Sequence, residues 1–330
     1  MTTDQLVEAP TRRRRGLDVR YLPVLGTLTV VILMVVIGGA LYPNFLTPRT
    51  MGNLFINNAH LIVLAVGMTF VIITGGIDLS VGAVLALSSI IVATLLQAGW
   101  NMWLVLPIAI AAGTLFGLMH GAIIYYFRVQ PFIVTLAGMF LARGLCFLIA
   151  PLSIPIANKG FDRFVGWRIK FGDFRITTAV GIALIVVLVA FLVLHYTRFG
   201  RTVYAIGGSE PSAIMMGLPV TRTKILAYVI SGTCAGLGGV LFAMSLKSGY
   251  ALTGVGMELD AIAAVVIGGT LLTGGAGFVL GSLLGVLVLG LIQTIITFQG
   301  TLSSWWTKIV IGALLLIFVV LQRLLSRRRA

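Results

Sequence analysis

Three carboxylates interrupt an otherwise oily chain, Asp78, Glu258 and Asp260, and each sits among stretches long enough to cross a bilayer. An acid at the bilayer centre costs on the order of 2.5 to 3.5 kcal/mol on insertion scales, so it needs a compensating role. Depth decides which role. In "TGGIDLSVGA", residues 74–83, Asp78 follows Gly75 and Gly76 and precedes Leu79 and Ser80, the pattern of a helix that stops, turns and restarts at the mouth of a hairpin. A carboxylate there can accept the free N–H groups near Ser80 and Val81 and cap the next helix. The other reading gives it a part in gating or in the solute path. Gly75, Gly76, Asp78 and Ser80 are the candidates for either role. Glu258 and Asp260 open a later apolar stretch after "KSGYALTGVGM", where a helix dipole favours negative charge.

Other polar side chains at span ends suit a hydroxyl-rich solute, which is held by amide hydrogen bonds and aromatic faces. Asn57, Asn58, Thr135, Glu258, Asp260 and Trp305 are the candidates for such a path, although a Trp305–Trp306 pair also fits an interfacial belt. Arg143, inside a span, reads as paired or snorkelling. Missing motifs matter as much. The chain has no G-x-x-x-x-G-K-[ST], no H-E-x-x-H and no G-x-S-x-G, and His60, His120 and His195 are far apart in sequence. The residues therefore predict no metal site, no bound cofactor and no ATP hydrolysis by this chain.

The elements that must position these groups are helices in a membrane. Of 330 residues, 59% are hydrophobic and only 10% charged, and the mean hydropathy is +1.10, far from the profile of a soluble domain. Apolar runs of about 20 residues, the length needed to cross a hydrocarbon core, recur along nearly the whole chain. They predict an all-α polytopic bundle of about ten spans: Val24 to Leu41, Leu54 to Ile73, Leu79 to Leu96, Leu104 to Phe127, Phe132 to Ile149, Ile176 to His195, Ile225 to Leu246, Leu259 to Leu272, Gly277 to Phe298 and Trp305 to Leu321. The first run reads as an uncleaved anchor. A basic N-terminal tail (1–23), a transmembrane domain (24–322) and a basic C-terminal tail (323–330) follow from this division.

Arg12 to Arg15 precede the first span and Arg327 to Arg329 follow the last, which puts both termini in the cytoplasm by the positive-inside rule. One connection breaks that rule. The loop from Leu152 to Arg175 would lie outside, yet it carries Lys159, Arg163, Arg168, Lys170 and Arg175. The net charge of +14 needs no nucleic acid, because anionic lipid headgroups and a cytoplasmic partner account for it.

A second long connection, Thr197 to Lys224, lies inside in this scheme. Its middle has helix-forming spacing from Glu210 to Met216, with Ser209 as N-cap and Gly217 then Pro219 as stops. Glycines at four-residue spacing, Gly113–Gly117–Gly121, Gly232–Gly236 and Gly277–Gly281–Gly285, predict close helix packing in lipid. Cys146 and Cys234 read as small apolar packers. "TGGAGFVLGSLLGV" from Thr273 echoes "TGGIDLSVGAVLAL" from Thr74, which suggests duplicated halves.

Several segments together resemble the inner-membrane permeases of bacterial ATP-binding-cassette sugar importers of the ribose, xylose and arabinose type. They are "GMTFVIITGGIDLSVGAVLALS" (67–88), "TLAGMFLARG" (135–144), "TRFGRTVYAIGGSEPSAIMMGLPV" (197–220) and "AAVVIGGTLLTGGAGFVLGSLLG" (263–285), and the likeness covers roughly Asn53 to Gln322. Within that family, "SIPIANKGFD", "SGYALTGVGMELDAIAAVVIGG" and "GTLSSWWTKIVIGALLLIFVVLQR" are most similar to a galactofuranose importer permease. The resemblance implies an inner-membrane permease for a monosaccharide, with galactofuranose, ribose or xylose as candidate cargo. It implies a cytoplasmic ATP-binding subunit holding ATP and Mg, a second permease subunit and a periplasmic sugar-binding protein that meets the outer loop. Glu210, Ala213 and Gly217 match the family's coupling loop to the ATPase. An ion-coupled secondary transporter would instead need an acid deep in a span, whereas the three acids here fit helix termini.

Overall fold

In a computed structural model, residues 22–171, 174–303 and 305–327 are described; the tail with Arg12 to Arg15 and the terminal Arg328 and Arg329 lie outside them. Apolar runs bounded by Pro, Gly, Asn and Thr become helices in this order: α1 (Leu22–Leu41), α2 (Pro48–Ile73), α3 (Val81–Gln97), α4 (Met102–Tyr126), α5 (Pro131–Ile149), β1 (Ile154–Pro155), α6 (Lys159–Gly166), β2 (Arg168–Phe171) and β3 (Phe174–Thr177). The second half runs α7 (Thr178–Tyr196), α8 (Arg198–Gly208), α9 (Glu210–Met215), α10 (Val220–Leu246), β4 (Ser248–Gly249), α11 (Met257–Ile267), α12 (Val279–Gln299) and α13 (Trp305–Arg327). Prolines open α2 and α5 at a position that needs no N–H donor, and Thr47, Asn101 and Thr177 cap α2, α4 and α7 through their side chains. The bundle is as helical as expected, and the strands are short clasps.

Seven helices among the described residues are long and apolar enough to cross a membrane: α1, α2, α4, α5, α7, α10 and α12. The 17-residue α3 and the apolar part of α13 are shorter. One expected span is corrected outright. The run from Leu259 to Leu272 is helical only to Ile267, because α11 has 11 residues, about 16 Å of rise, and Gly268 to Phe278 is not helical. Gly269, Gly274 and Gly275 take positive φ there, which ends the helix, and neighbouring chain satisfies the freed backbone: Gly275 N–H donates to Ile73 O at 2.9 Å.

Buried α2 and α10 form the centre, and α3, α4, α11 and α12 surround them. The predicted glycine seams are real. A Cβ on Gly117 would overlap the Tyr228 carbonyl and one on Gly232 the Gly113 carbonyl, so the α4 and α10 backbones touch; Gly281 and Gly285 meet Gly268 and Ala264 in the same way. Cys234 packs against Gly67, and both cysteines are buried and free, as packers should be.

The two long connections fall on opposite faces. On one face α8 adjoins the end of α2 and the chain leading into α12, since Gly207 lies against Ile73 O and Tyr204 O–H donates to Gly277 O at 2.6 Å, and α9 follows it. On the other, the loop after α5 is clasped to the chain after α10. β1 pairs antiparallel with β4, and Lys247 Nζ lies 2.6 Å from Asp162 Oδ1. The start of the Leu246–Met257 segment therefore lies beside the Leu152–Arg175 loop. That loop is also more structured than its sequence suggested, with helix α6 and the β2–β3 hairpin inside it.

Candidate functional site

The segment between α2 and α3 is the best-defined polar feature of the core. α2 ends in a Schellman turn: Gly75 N–H donates to Ile72 O and Gly76 N–H to Val71 O, with Gly75 at φ +81°. Only a residue without a Cβ fits at Gly76, where a side chain would strike the Tyr228 hydroxyl. Past the turn, Asp78 Oδ1 accepts the Ser80 N–H at 3.0 Å and the Ser80 hydroxyl at 2.6 Å. Asp78 takes the N–H of Ser80 and not that of Val81, and Ser80 is the residue at the N-cap position of α3.

The expected hairpin mouth is corrected. Asp78 is 1% exposed, so it lies in the core and not at an open mouth, and its second oxygen accepts the Ser231 hydroxyl of α10 at 2.8 Å. Ser80 Oγ is also 3.5 Å from His120 Nδ1 of α4, and Thr135 of α5 donates to Ile77 O at 3.3 Å. His120 Nε2 and the Tyr228 hydroxyl are buried here without a hydrogen-bond partner, facing Gly138 and Gly76. A buried carboxylate is tolerable only when such donors surround it. The node thus ties the restart segment to α4, α5 and α10 at once.

Sequence reasoning missed Ser231, His120 and Tyr228 as members of this node. The signal that could have found two of them is their place in the glycine seams, His120 beside Gly117 and Gly121 and Ser231 beside Gly232, where backbones approach closely enough for short polar side chains to reach across.

The two Thr-Gly-Gly segments that echo each other in sequence meet in space. Gly275 N–H bonds to Ile73 O, a Cβ on Gly274 would crowd Ile73 O and Gly75 N, and Gly207 of α8 sits against both segments. α8 is thus in direct contact with the end of α2 and with the loop that leads into α12. α9 follows at once. Ser209 caps it and Gly217 ends it at φ +70°, as the spacing predicted, and Glu210 also pairs with Lys224 at 2.7 Å. Ala213 is different. It is fully buried with Ile206 and Val220, so it seats α9 on the bundle, while Ile214, Met215 and Met216 are the exposed apolar residues, Met215 at 87%.

The remaining path candidates do not converge. Asn57 is exposed on α2, while Asn58 faces inward, donating to Leu54 O at 2.8 Å against Gly290 of α12. Glu258 reaches back to the Gly256 N–H at 3.1 Å, as a cap, and its other oxygen is buried against Gly82 of α3. Arg143 is paired as expected, donating to the carbonyls of Ala251 and Thr253 in the chain leading to α11. Asp260 stands in the first turn of α11, where the helix dipole favours it, and also pairs with Lys308 of α13 at 2.7 Å. Trp305 is 78% exposed. Among the described residues no group of three metal-ligating side chains occurs.

Comparison with known proteins bears on this arrangement. Residues 50–319 match the family described as "Branched-chain amino acid transport system / permease component". The chain is 46% identical over 307 residues to the inner membrane ABC transporter permease protein YjfF of Escherichia coli (strain K12), covering 92% of each chain. It is 44% identical over 328 residues to the fructose import permease protein FruG of Bifidobacterium longum (strain NCC 2705), 97% of this chain and 96% of that one. To the ribose import permease protein RbsC of Escherichia coli (strain K12) it is 38% identical over 302 residues, 90% of this chain and 92% of that one. No solved structure matches.

Proposed function

This chain belongs to the ABC sugar-permease family, and we propose that it is the membrane subunit of an importer carrying one monosaccharide, driven by a separate ATP-binding subunit. It is a multi-pass inner-membrane protein. The observation that carries the reading is identity of 44% and 46% to permeases along more than nine tenths of the chain. Galactofuranose is the cargo proposed from the likeness of 153–162, 248–269 and 300–323; ribose and fructose are named for relatives.

In this reading both termini, α8 and α9 face the cytoplasm. Met215, Met216 and Ile214 meet the ATPase, which holds the ATP and Mg, and α9 stays seated through Ala213. Displacement of α8 passes through Gly207 and Tyr204 to the paired Thr-Gly-Gly segments, and from them to the Asp78 node, so that the ends of α2, α3, α11 and α12 shift together. Exposed Asn57 would face a second permease subunit across the solute path, and α6 with its neighbours would receive the sugar-binding protein. Uptake of labelled galactofuranose, ribose and fructose into vesicles holding the assembled transporter, with ATP inside and no ion gradient, tests this. Uptake that follows an imposed proton or sodium gradient and ignores ATP would overturn it.

A further inference from the structure

The basic residues that break the positive-inside pattern have a structural focus. On the face opposite α8 and α9, a cleft of about 250 Å³ is lined by Arg49, Asn53 and Ile56 of α2 and by Arg168, Arg175 and Thr177 of the β2–β3 hairpin. The hairpin register sets Arg168 across from Thr177, which brings residues from both strands to the same wall. Arg175 is two positions before Thr177 on the same strand and so falls on the same side of the hairpin as Arg168 and Thr177. None of the three ion pairs found among the described residues involves these arginines.

The depth of the cleft identifies its occupant. Arg49 is in the first turn of α2, and Thr177 is the N-cap of α7; both helices are membrane spans, so the cleft lies between the outer ends of two spans, at the level of lipid headgroups. We propose that it holds the phosphate of an anionic phospholipid headgroup, gripped by Arg49, Arg168 and Arg175, with the Thr177 hydroxyl as a further donor. Guanidinium forks match phosphate oxygens in pairs, and the start of α2 adds the positive end of its dipole. A docked protein would require an outward surface of about 800 Å² per partner, which this narrow cleft does not offer. Ile56 at its wall gives the glycerol end of a lipid an apolar contact that free phosphate would not use. Cations placed against the rule on this face then have anionic partners in the membrane itself.

The test uses the full permease assembled with its ATPase, delipidated in detergent and titrated with phosphatidylglycerol or phosphatidylcholine, with bound lipid read by native mass spectrometry. Phosphatidylglycerol should bind more tightly than phosphatidylcholine, and each Arg→Gln change at 49, 168 or 175 should weaken it about fivefold while phosphatidylcholine is unaffected. Unchanged phosphatidylglycerol binding by the triple variant would overturn the proposal. So would its displacement by equimolar inorganic phosphate, which would make this a free-anion site, or a triple variant that loses only capture of a soluble binding protein. If the triple variant does not assemble, Arg175→Gln and Arg175→Lys carry the test. Gln should weaken binding about fivefold and Lys, which keeps the charge but not the fork, by less than Gln; equal loss for both, or loss for neither, defeats the idea.

Discussion

Asp78 offers the sharpest separation between holding the fold and running the cycle. Its two oxygens accept three hydrogen bonds, from the Ser80 N–H, the Ser80 hydroxyl and the Ser231 hydroxyl, in a site 1% exposed. In Asp78→Ala the Ser80 N–H has no acceptor, a loss of about 1 to 3 kcal/mol for a buried donor, while the two hydroxyls can rotate to nearby carbonyls at about 1 kcal/mol together. The sum is about 2 to 4 kcal/mol, enough to lower the amount of assembled transporter. Asp78→Asn keeps one carbonyl oxygen for Ser80, and its NH₂ can donate to Ser231, whose hydroxyl accepts as readily as it donates. Asparagine should therefore leave abundance and turnover close to those of the parent. Ser231→Ala, which cuts only the tie to α10, should cost about 1 kcal/mol. The assay pairs size-exclusion of the fluorescent-tagged complex with ATP-driven uptake per assembled transporter. An abundant but inactive Asp78→Asn would refute the hydrogen-bond account and make the charge itself part of gating; an Asp78→Ala transporter of unchanged thermal stability would refute the energetics.

Three further outcomes are expected. Met215→Asp should abolish copurification of the ATP-binding subunit while leaving the permease folded, because Met215 is 87% exposed; Ala213→Leu should instead lower permease abundance, since that site is closed, and equal abundance for both variants would contradict the assignment. Gly117→Leu should prevent assembly, because its side chain would have to displace the Tyr228 backbone, and a transporter recovered at parental yield would disprove the α4–α10 contact. Arg163→Glu, on exposed α6, should weaken docking of a soluble sugar-binding protein more at low salt than at high salt, and a salt-independent change would count against an electrostatic contact there.

What the sequence determined by itself was local. Hydropathy placed the protein in a membrane because chain in lipid must satisfy its own backbone, and long apolar runs do so as helices. Ser209, Gly217 and the Gly75–Gly76 pair announced their turns because caps and Schellman motifs are made between residues within about five positions of one another. Four-residue glycine spacing announced close packing without saying which helices would meet. The tertiary structure decided the rest. Hydropathy could not see that α11 stops at Ile267, because the non-helical stretch after it is as apolar as a span and its turns are held in part by distant partners, Ile73 O and the Tyr204 hydroxyl. It also made Asp78 a shared acceptor and Asp260 the partner of Lys308. Each outcome depends on a side chain 48 or more positions away, and the one-dimensional pattern carries no record of which helix face that neighbour will occupy.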